Sequence, residues 1–322
     1  MSLQPSMGLA RAIAAAAIFI GAGPALAHTI VGDRVFPATV TIDDPGVNDE
    51  LALPTFAYLP LANPNGSATP SYTFGWEYAK TITADLGISI GSEGITFQRN
   101  PRSVGWANID TELKYVFYQN AAHEFIFAGA VNVDWANTGS ASNASLPSNP
   151  FTTVTPKVFA GKGFGDATVD WLRPFAITGE VDYNIPTASI NAITQNQNAT
   201  SLTYGASLQY SLLYMNSYVQ EVPDFFKRLI PTFEAIITTP VSNIGPSVPG
   251  SFSPSDTTGV VGPSIYYIGQ YFELGVMAQI PINEASGKHP GVLAIVDFFL
   301  DDIAPTTVGK PLFGPPQSRY SQ

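Results

Sequence analysis

From residue 72 onward the chain repeats one pattern. Apolar and polar side chains alternate with a period of two, in segment after segment. Tyr72, Phe74, Trp76 and Tyr78 alternate with Thr73, Gly75, Glu77 and Ala79. Ile109, Leu113, Tyr115 and Phe117 alternate with Asp110, Glu112 and Lys114, and Val131, Val133 and Trp135 with Ala130, Asn132 and Asp134. Farther on, Ile177, Val181 and Tyr183 face away from Thr178, Glu180 and Asp182. Leu202, Tyr204 and Leu208 face away from Thr203, Gly205 and Ser207, while Phe233, Ala235 and Ile237 oppose Thr232, Glu234 and Thr238. Phe272, Leu274, Val276 and Ile280 oppose Glu273, Gly275 and Gln279. Successive side chains of a strand point to opposite faces, so each segment is a strand with one apolar and one polar face.

Three features take this pattern to a membrane. The segments run to about 9–13 residues, the length a tilted strand needs to cross a bilayer, against about 5–6 in a soluble sheet. Their apolar faces end in Tyr, Trp and Phe, which suit the membrane interfaces. Long Ser/Asn/Pro/Gly tracts at 137–149, 189–200 and 242–257 alternate with short links, as in a barrel with long loops on one side and tight turns on the other. The charge content fits. Lys+Arg number 14 and Asp+Glu 25, so charged residues are only 12% of the 322, about half the usual share. A strand that shows Leu, Val and Phe to lipid has little room for charge. The expected fold is an all-β, antiparallel transmembrane β-barrel of about 12 strands (about 10–12), because even-numbered closure at roughly 20 residues per strand and connection leads there. A soluble extracytoplasmic β-barrel binding protein would show the same alternation with its apolar face inward.

The ends of the chain divide it further. Arg11, the apolar run Ala12 to Ile20, a Gly-Pro break and Ala25-Leu26-Ala27 read as a cleaved export signal over 1–27. Residues 28–70 alternate poorly and hold Asp43-Asp44-Pro45-Gly46, a turn signal. They are expected to form a periplasmic N-terminal extension, with a partial plug inside the lumen as the other reading. The barrel is expected over 71–300, and the proline-bearing 301–322 as a C-terminal tail. The expected location is the outer membrane of a Gram-negative cell. With no Cys, the fold must stand without disulfides.

The signal sequence, the aromatic-rich alternating strands and the terminal segment Gly291-Val292-Leu293-Ala294-Ile295-Val296-Asp297-Phe298-Phe299-Leu300 together resemble the transporter-like outer-membrane barrels of the MetA pathway of phenol degradation. The resemblance covers roughly 72–300 at the level of strand pattern. It implies an outer-membrane location and passage of small hydrophobic or aromatic compounds. The chain departs from the habit of many such barrels by continuing past Phe298 and Phe299 to Tyr320-Ser321-Gln322.

Chemistry is sparse. Three His and no GxSxG, HExxH or Walker-type loop leave no catalytic constellation, so the expectation is no enzyme, no catalytic residue, no metal and no cofactor. A net charge of −11 without a basic cluster speaks against nucleic acid. If the apolar faces meet lipid, Glu77, Asp110, Glu112, Lys114, Asp134, Glu180, Asp182, Glu234 and Glu273 face the lumen. Acidic rings favour cations in a pore. The expected function is passive passage of small solutes, hydrophobic or aromatic compounds or cations among them. The alternatives are a closed barrel with a scaffolding role and the soluble binding protein. Expected partners are outer-membrane lipid and small solutes, with a protein partner or a second copy of the chain left open.

Overall fold

The computed structural model describes residues 29–63, 66–99, 102–141, 148–193, 195–246 and 252–314. The export signal over 1–27 lies outside them. A small hairpin comes first, β1 (Thr29–Val31) and β2 (Arg34–Phe36). Then follow β3 (Glu50–Ala62), β4 (Ala68–Thr83), β5 (Leu86–Gln98), β6 (Ser103–Trp106), β7 (Asp110–Asn120), β8 (Phe125–Asp134), β9 (Ser140–Ala141) and β10 (Thr153–Gly163). The second half holds β11 (Phe175–Pro186), β12 (Thr200–Tyr210), α1 (Leu212–Tyr218), β13 (Leu229–Ser242), β14 (Thr258–Ile268), β15 (Phe272–Pro281), β16 (Gly291–Phe299) and α2 (Leu300–Ile303).

Twelve strands close into one antiparallel barrel, in the order β3, β4, β5, β7, β8, β10 to β16 and back to β3. Closure leaves no unpaired edge among the spanning strands, the condition for a sheet in hydrocarbon. The short β6 pairs with the upper part of β5 and with β9, raising the wall at one end. The connections containing 137–149, 189–200 and 242–257 all leave from that long-loop end, whereas the links 84–85, 121–124 and 269–271 turn at the other, short-turn end.

Burial follows the alternation with the opposite sign to a soluble barrel. Phe233 is 52% exposed on the outside, while its neighbour Glu234 is fully buried inside. Leu113, Tyr115, Phe117, Val131, Val181, Leu208, Leu274 and Val276 are all exposed, and Glu112, Thr178, Glu180, Asp182, Ser207, Gln209 and Glu273 are buried.

The expected boundary at 71 is corrected. Glu50–Ala62 is a full barrel strand, paired with β16 on one side and β4 on the other. Its alternation is hidden because the register slips between Ala52 and Thr55, around Pro54. Outward residues are odd-numbered before the slip, such as Leu53, and even-numbered after it. There the rings of Phe56 and Tyr58 pack in tilted contact with those of Phe74 and Tyr72 of β4, at centroid distances of 5.1 and 4.9 Å. A one-residue slip moves every later side chain to the other face, so a single period cannot fit the strand. The preferred reading of 28–70 as a periplasmic extension is corrected too, because residues 29–49 lie within the lumen, as described next.

Candidate functional site: an occupied lumen

The hairpin of β1 and β2 turns at Gly32, whose φ of +62° suits glycine, and a Cβ there would meet the Ala121 carbonyl oxygen at 2.3 Å. The turn thereby seats Arg34 at the short-turn end. Its Nε donates to Glu124 Oε2 at 3.0 Å and Nη1 to the Pro174 carbonyl at 3.0 Å, while Nη2 donates to the Arg173 carbonyl. The guanidinium also lies 4.0 Å from the centre of the Tyr214 ring. Burial holds its pKa below the ordinary value, and Glu124 offsets that. Three connectors are thus tied to one plug side chain.

Residues 39–44 cross the lumen. Val40 donates its N–H to the Tyr266 hydroxyl at 2.8 Å, and Thr41 donates its N–H and hydroxyl to Glu234 Oε2 at 3.1 and 2.6 Å. Tyr266 donates to Glu234 Oε1 at 2.5 Å, and Ser264 donates to the same oxygen. Asp43 donates its N–H to Glu180 at 3.2 Å and pairs through its carboxylate with Lys114. Asp44 accepts from Thr29 Oγ1 at 2.8 Å, the Gly46 N–H at 3.0 Å and Asn48 Nδ2 at 2.5 Å. Burial pushes its carboxyl above the usual range, and Lys114 opposes that shift. At the exit Asp49 accepts from Lys80 Nζ at 2.5 Å and the Thr81 N–H at 2.9 Å, and β3 begins.

Two apolar seals flank this polar strand of contacts. Val31, Phe36 and Val47 of the plug cluster with Val116, Ile126, Ala128, Ala130, Phe159 and Ala176 on β7, β8, β10 and β11. Val40 packs on Ile230, Tyr266, Ile268 and Ile295. Burying each of the Val, Ile and Phe side chains among them contributes roughly 1.5–3 kcal/mol. The plug is therefore fixed by both polar and apolar contacts.

Toward the long-loop end the lumen opens into a cavity of about 260 Å³ lined by Glu77, Glu93, Asp110, Thr55, Thr73 and Ser92. Hydroxyl and amide side chains line the wall beyond it. Asn184 Nδ2 donates to Thr203 Oγ1 at 3.0 Å, and Thr203 and Thr238 share a hydrogen bond of 2.9 Å.

The nine charged residues singled out in the sequence divide by what they touch. Glu112 pairs with Lys157 at 3.2 Å and stands 3.8 Å from Lys114, which holds the plug. Glu180 and Glu234 receive plug N–H groups, and Asp182 lies opposite Lys157 across β10 and β11. Asp110 accepts from Asn132 at 3.0 Å and Asp134 from Asn108 at 2.8 Å. Glu77 lines the cavity, and Glu273 is buried opposite Asp297. Sequence reasoning passed over Arg34, Glu93, Lys157 and Tyr266, and it took Asp44 as part of a turn and Asp297 as part of the last strand without assigning either to the lumen. Glu93 carried a readable signal, for it sits beside Gly94 at φ +80°, where the register between β4 and β5 slips. Bulges commonly re-aim a side chain in this way.

No family model matches the chain, and no curated protein matches it. Solved structures do. An outer membrane channel from Pseudomonas putida F1 aligns with a TM-score of 0.51 at 11% identity, over 83% of this chain and 99% of that one. The NanC porin aligns at 0.45 and 7% identity and the KdgM porin at 0.43 and 8%, each over 77% of this chain and 98% of the other. The likeness to the Pseudomonas putida channel shows a common fold, a closed porin-like barrel, and the resemblance to the phenol-degradation family stays at the level of strand pattern.

Proposed function

We propose that the chain is an outer-membrane barrel that passes small solutes, its short turns facing the periplasm and its long loops the exterior, with residues 29–49 closing the periplasmic end at rest. The observation that carries this reading is the inverted burial. Apolar side chains cover the outside while carboxylates, hydroxyls and amides fill the inside, the arrangement that hydrocarbon outside and a polar lumen inside both require. A solute entering from the long loops meets the acid-lined cavity first, which favours cations and polar solutes over anions. Full passage requires residues 29–49 to shift. Their ties to Lys114, Glu180 and Glu234 are polar and exchangeable with water.

Fractionation and a heat-modifiability gel test the location: the unheated protein is expected in detergent extracts of outer membranes, migrating faster than the heated form. Liposome swelling tests passage. Wild type is expected to exclude sugars, and a variant carrying Arg34→Gln with Lys114→Gln to admit a pentose. A folded, heat-modifiable variant that still excludes the pentose would point to a closed scaffold. Protein that stays soluble without detergent would point to a binding protein.

A further inference from the structure

One rung of backbone pairing carries carboxylates most of the way along the lumen. Glu273 lies opposite Asp297, Asp297 opposite Ala52, and Ala52 opposite Glu77. The rung continues from Glu77 to Gly91, from Gly91 to Asp110 and from Asp110 to Asp134. Residues directly opposite one another share a face of the sheet, and barrel strands tilt, so a rung across them climbs along the barrel axis. This one starts at the second residue of β15, at the short-turn end, and finishes at the first residue of β7 and the last of β8, at the long-loop end. Glu50 and Glu93 fill the gaps left by Ala52 and Gly91. Glu50 lies two residues before Ala52 on β3 and lines the space beside the plug, and Glu93 lines the upper cavity with Glu77.

Two further observations set this file apart from a chance row of acids. Asp297 is only 2% exposed, and its Oδ1 and the buried Oε2 of Glu50 have no hydrogen-bond partner. Buried polar atoms in native proteins are nearly always paired, so these oxygens call for a visiting partner. The neighbouring lysines are committed elsewhere, Lys80 to Asp49, Lys114 to Asp43 and Lys157 to Glu112. In addition, the upper cavity does not stand alone. A second cavity of about 30 Å³ lies between Gly46, Val47 and Asn48 of the plug and the wall, and Glu77 lines both while Glu50 lines the lower one. That is about the volume of one water molecule. The apolar seals of the plug lie mostly on β7 to β14; on this side they are represented by Ile295, Ala52 and the plug's Val47, and the polar lining of the lower cavity is Asn48, Glu50, Glu77, Glu112 and the ion-paired Lys80 and Lys114. Among the described residues no three acids or histidines converge as a metal site, which suits a path better than a fixed ion.

We infer that the carboxylate file is a path for small monovalent inorganic cations, running between the plug and the wall of β16, β3, β4 and β5 while the plug stays in place. It rests on the channel reading and names what the resting barrel conducts. The narrow lower cavity, with room for about one water, admits a small ion that has shed nearly all its hydration and excludes organic solutes.

The test uses the intact mature protein in planar bilayers under a potassium chloride gradient. The expected result is a small current with potassium favoured over chloride by at least about threefold, falling toward parity in Glu77→Gln with Glu93→Gln and in Asp297→Asn. Replacing potassium by tetraethylammonium is expected to lower the current by about tenfold or more. Heat-modifiability shows that each variant is folded. A chloride-preferring current, or one unchanged by these substitutions, overturns the path. A silent wild type beside a conducting Arg34→Gln, Lys114→Gln variant overturns the path and leaves the channel reading standing. Silence in both overturns the two together.

Discussion

Arg34 of the plug and Glu124 of the connector after β7 form an ion pair of 3.0 Å in which the guanidinium is wholly buried. The pair lies at the short-turn end, where the carbonyls of Arg173 and Pro174 complete the set of acceptors. A buried charge of this kind stabilises only with all its partners in place, so it works as a latch with a defined seat. Its removal is the most direct way to loosen the plug without touching the barrel wall.

Arg34→Met leaves the buried Glu124 carboxylate without its ion-pair partner, still accepting from the Gly165 N–H at 3.0 Å. Breaking a buried pair from one side costs roughly 3–5 kcal/mol. Faster hydrogen exchange at residues 29–44 is expected, with the barrel still heat-modifiable. Unchanged exchange there would show that the apolar seals hold the plug alone.

Val181→Lys tests which solvent surrounds the barrel. Val181 is 43% exposed on the outer face of β11. On a soluble protein such a surface change is worth within about 0.5 kcal/mol. In a bilayer a lysine on the lipid face near the midplane costs roughly 2–4 kcal/mol. Unfolding titrations in liposomes are expected to show the larger loss.

Asp44 gives the plug a pH dependence of definite sign. Its carboxyl is pushed above the usual range by burial, with Asp43 adding to the shift and Lys114, Thr29 and the Gly46 N–H opposing it. A raised folded-state pKa means that the folded form holds its proton longer than the unfolded one. This contribution to plug docking is therefore complete below the ordinary carboxylate pKa and is lost as pH rises through the shifted value. Exchange rates at 29–49 are expected to climb over that interval, and Asp44→Asn to flatten the climb. A rise that persists in Asp44→Asn would assign it to another group.

Tyr266→Phe removes the hydroxyl that accepts from Val40 and donates to Glu234. Leaving a buried N–H unpaired costs roughly 1–3 kcal/mol. Amide exchange at Val40 is the readout, and it is expected to rise more than exchange at Val31, which sits in the other seal.

The barrel was readable where an apolar outer face alternates with a polar inner one, as along Phe233, Glu234 and Ala235. Reading failed where that contrast is absent. In β3 the slip around Pro54 changes which residues face outward. β16 was read as the last strand, but not its faces, because its inward side chains Leu293, Ile295 and Phe299 are apolar and buried. Ile295 belongs to the seal packed by Val40, a contact with a residue that lies far away in sequence. Asp43 and Asp44 were visible as a turn. Nothing local showed that Lys114, Glu180 and Thr29 would meet them.

Alternation by itself determined strand type, strand length and an even-numbered antiparallel barrel, because side-chain direction along a strand is a local property. It left open which face points inward, since a period of two is the same from either side. Tertiary structure decided that, and with it the fate of residues 29–49. Their place in the lumen depends on partners from β4, β7, β11, β13 and β14 that come together only once the ring has closed. The carboxylate file was decided there too, for it is a product of register, and register exists only between strands.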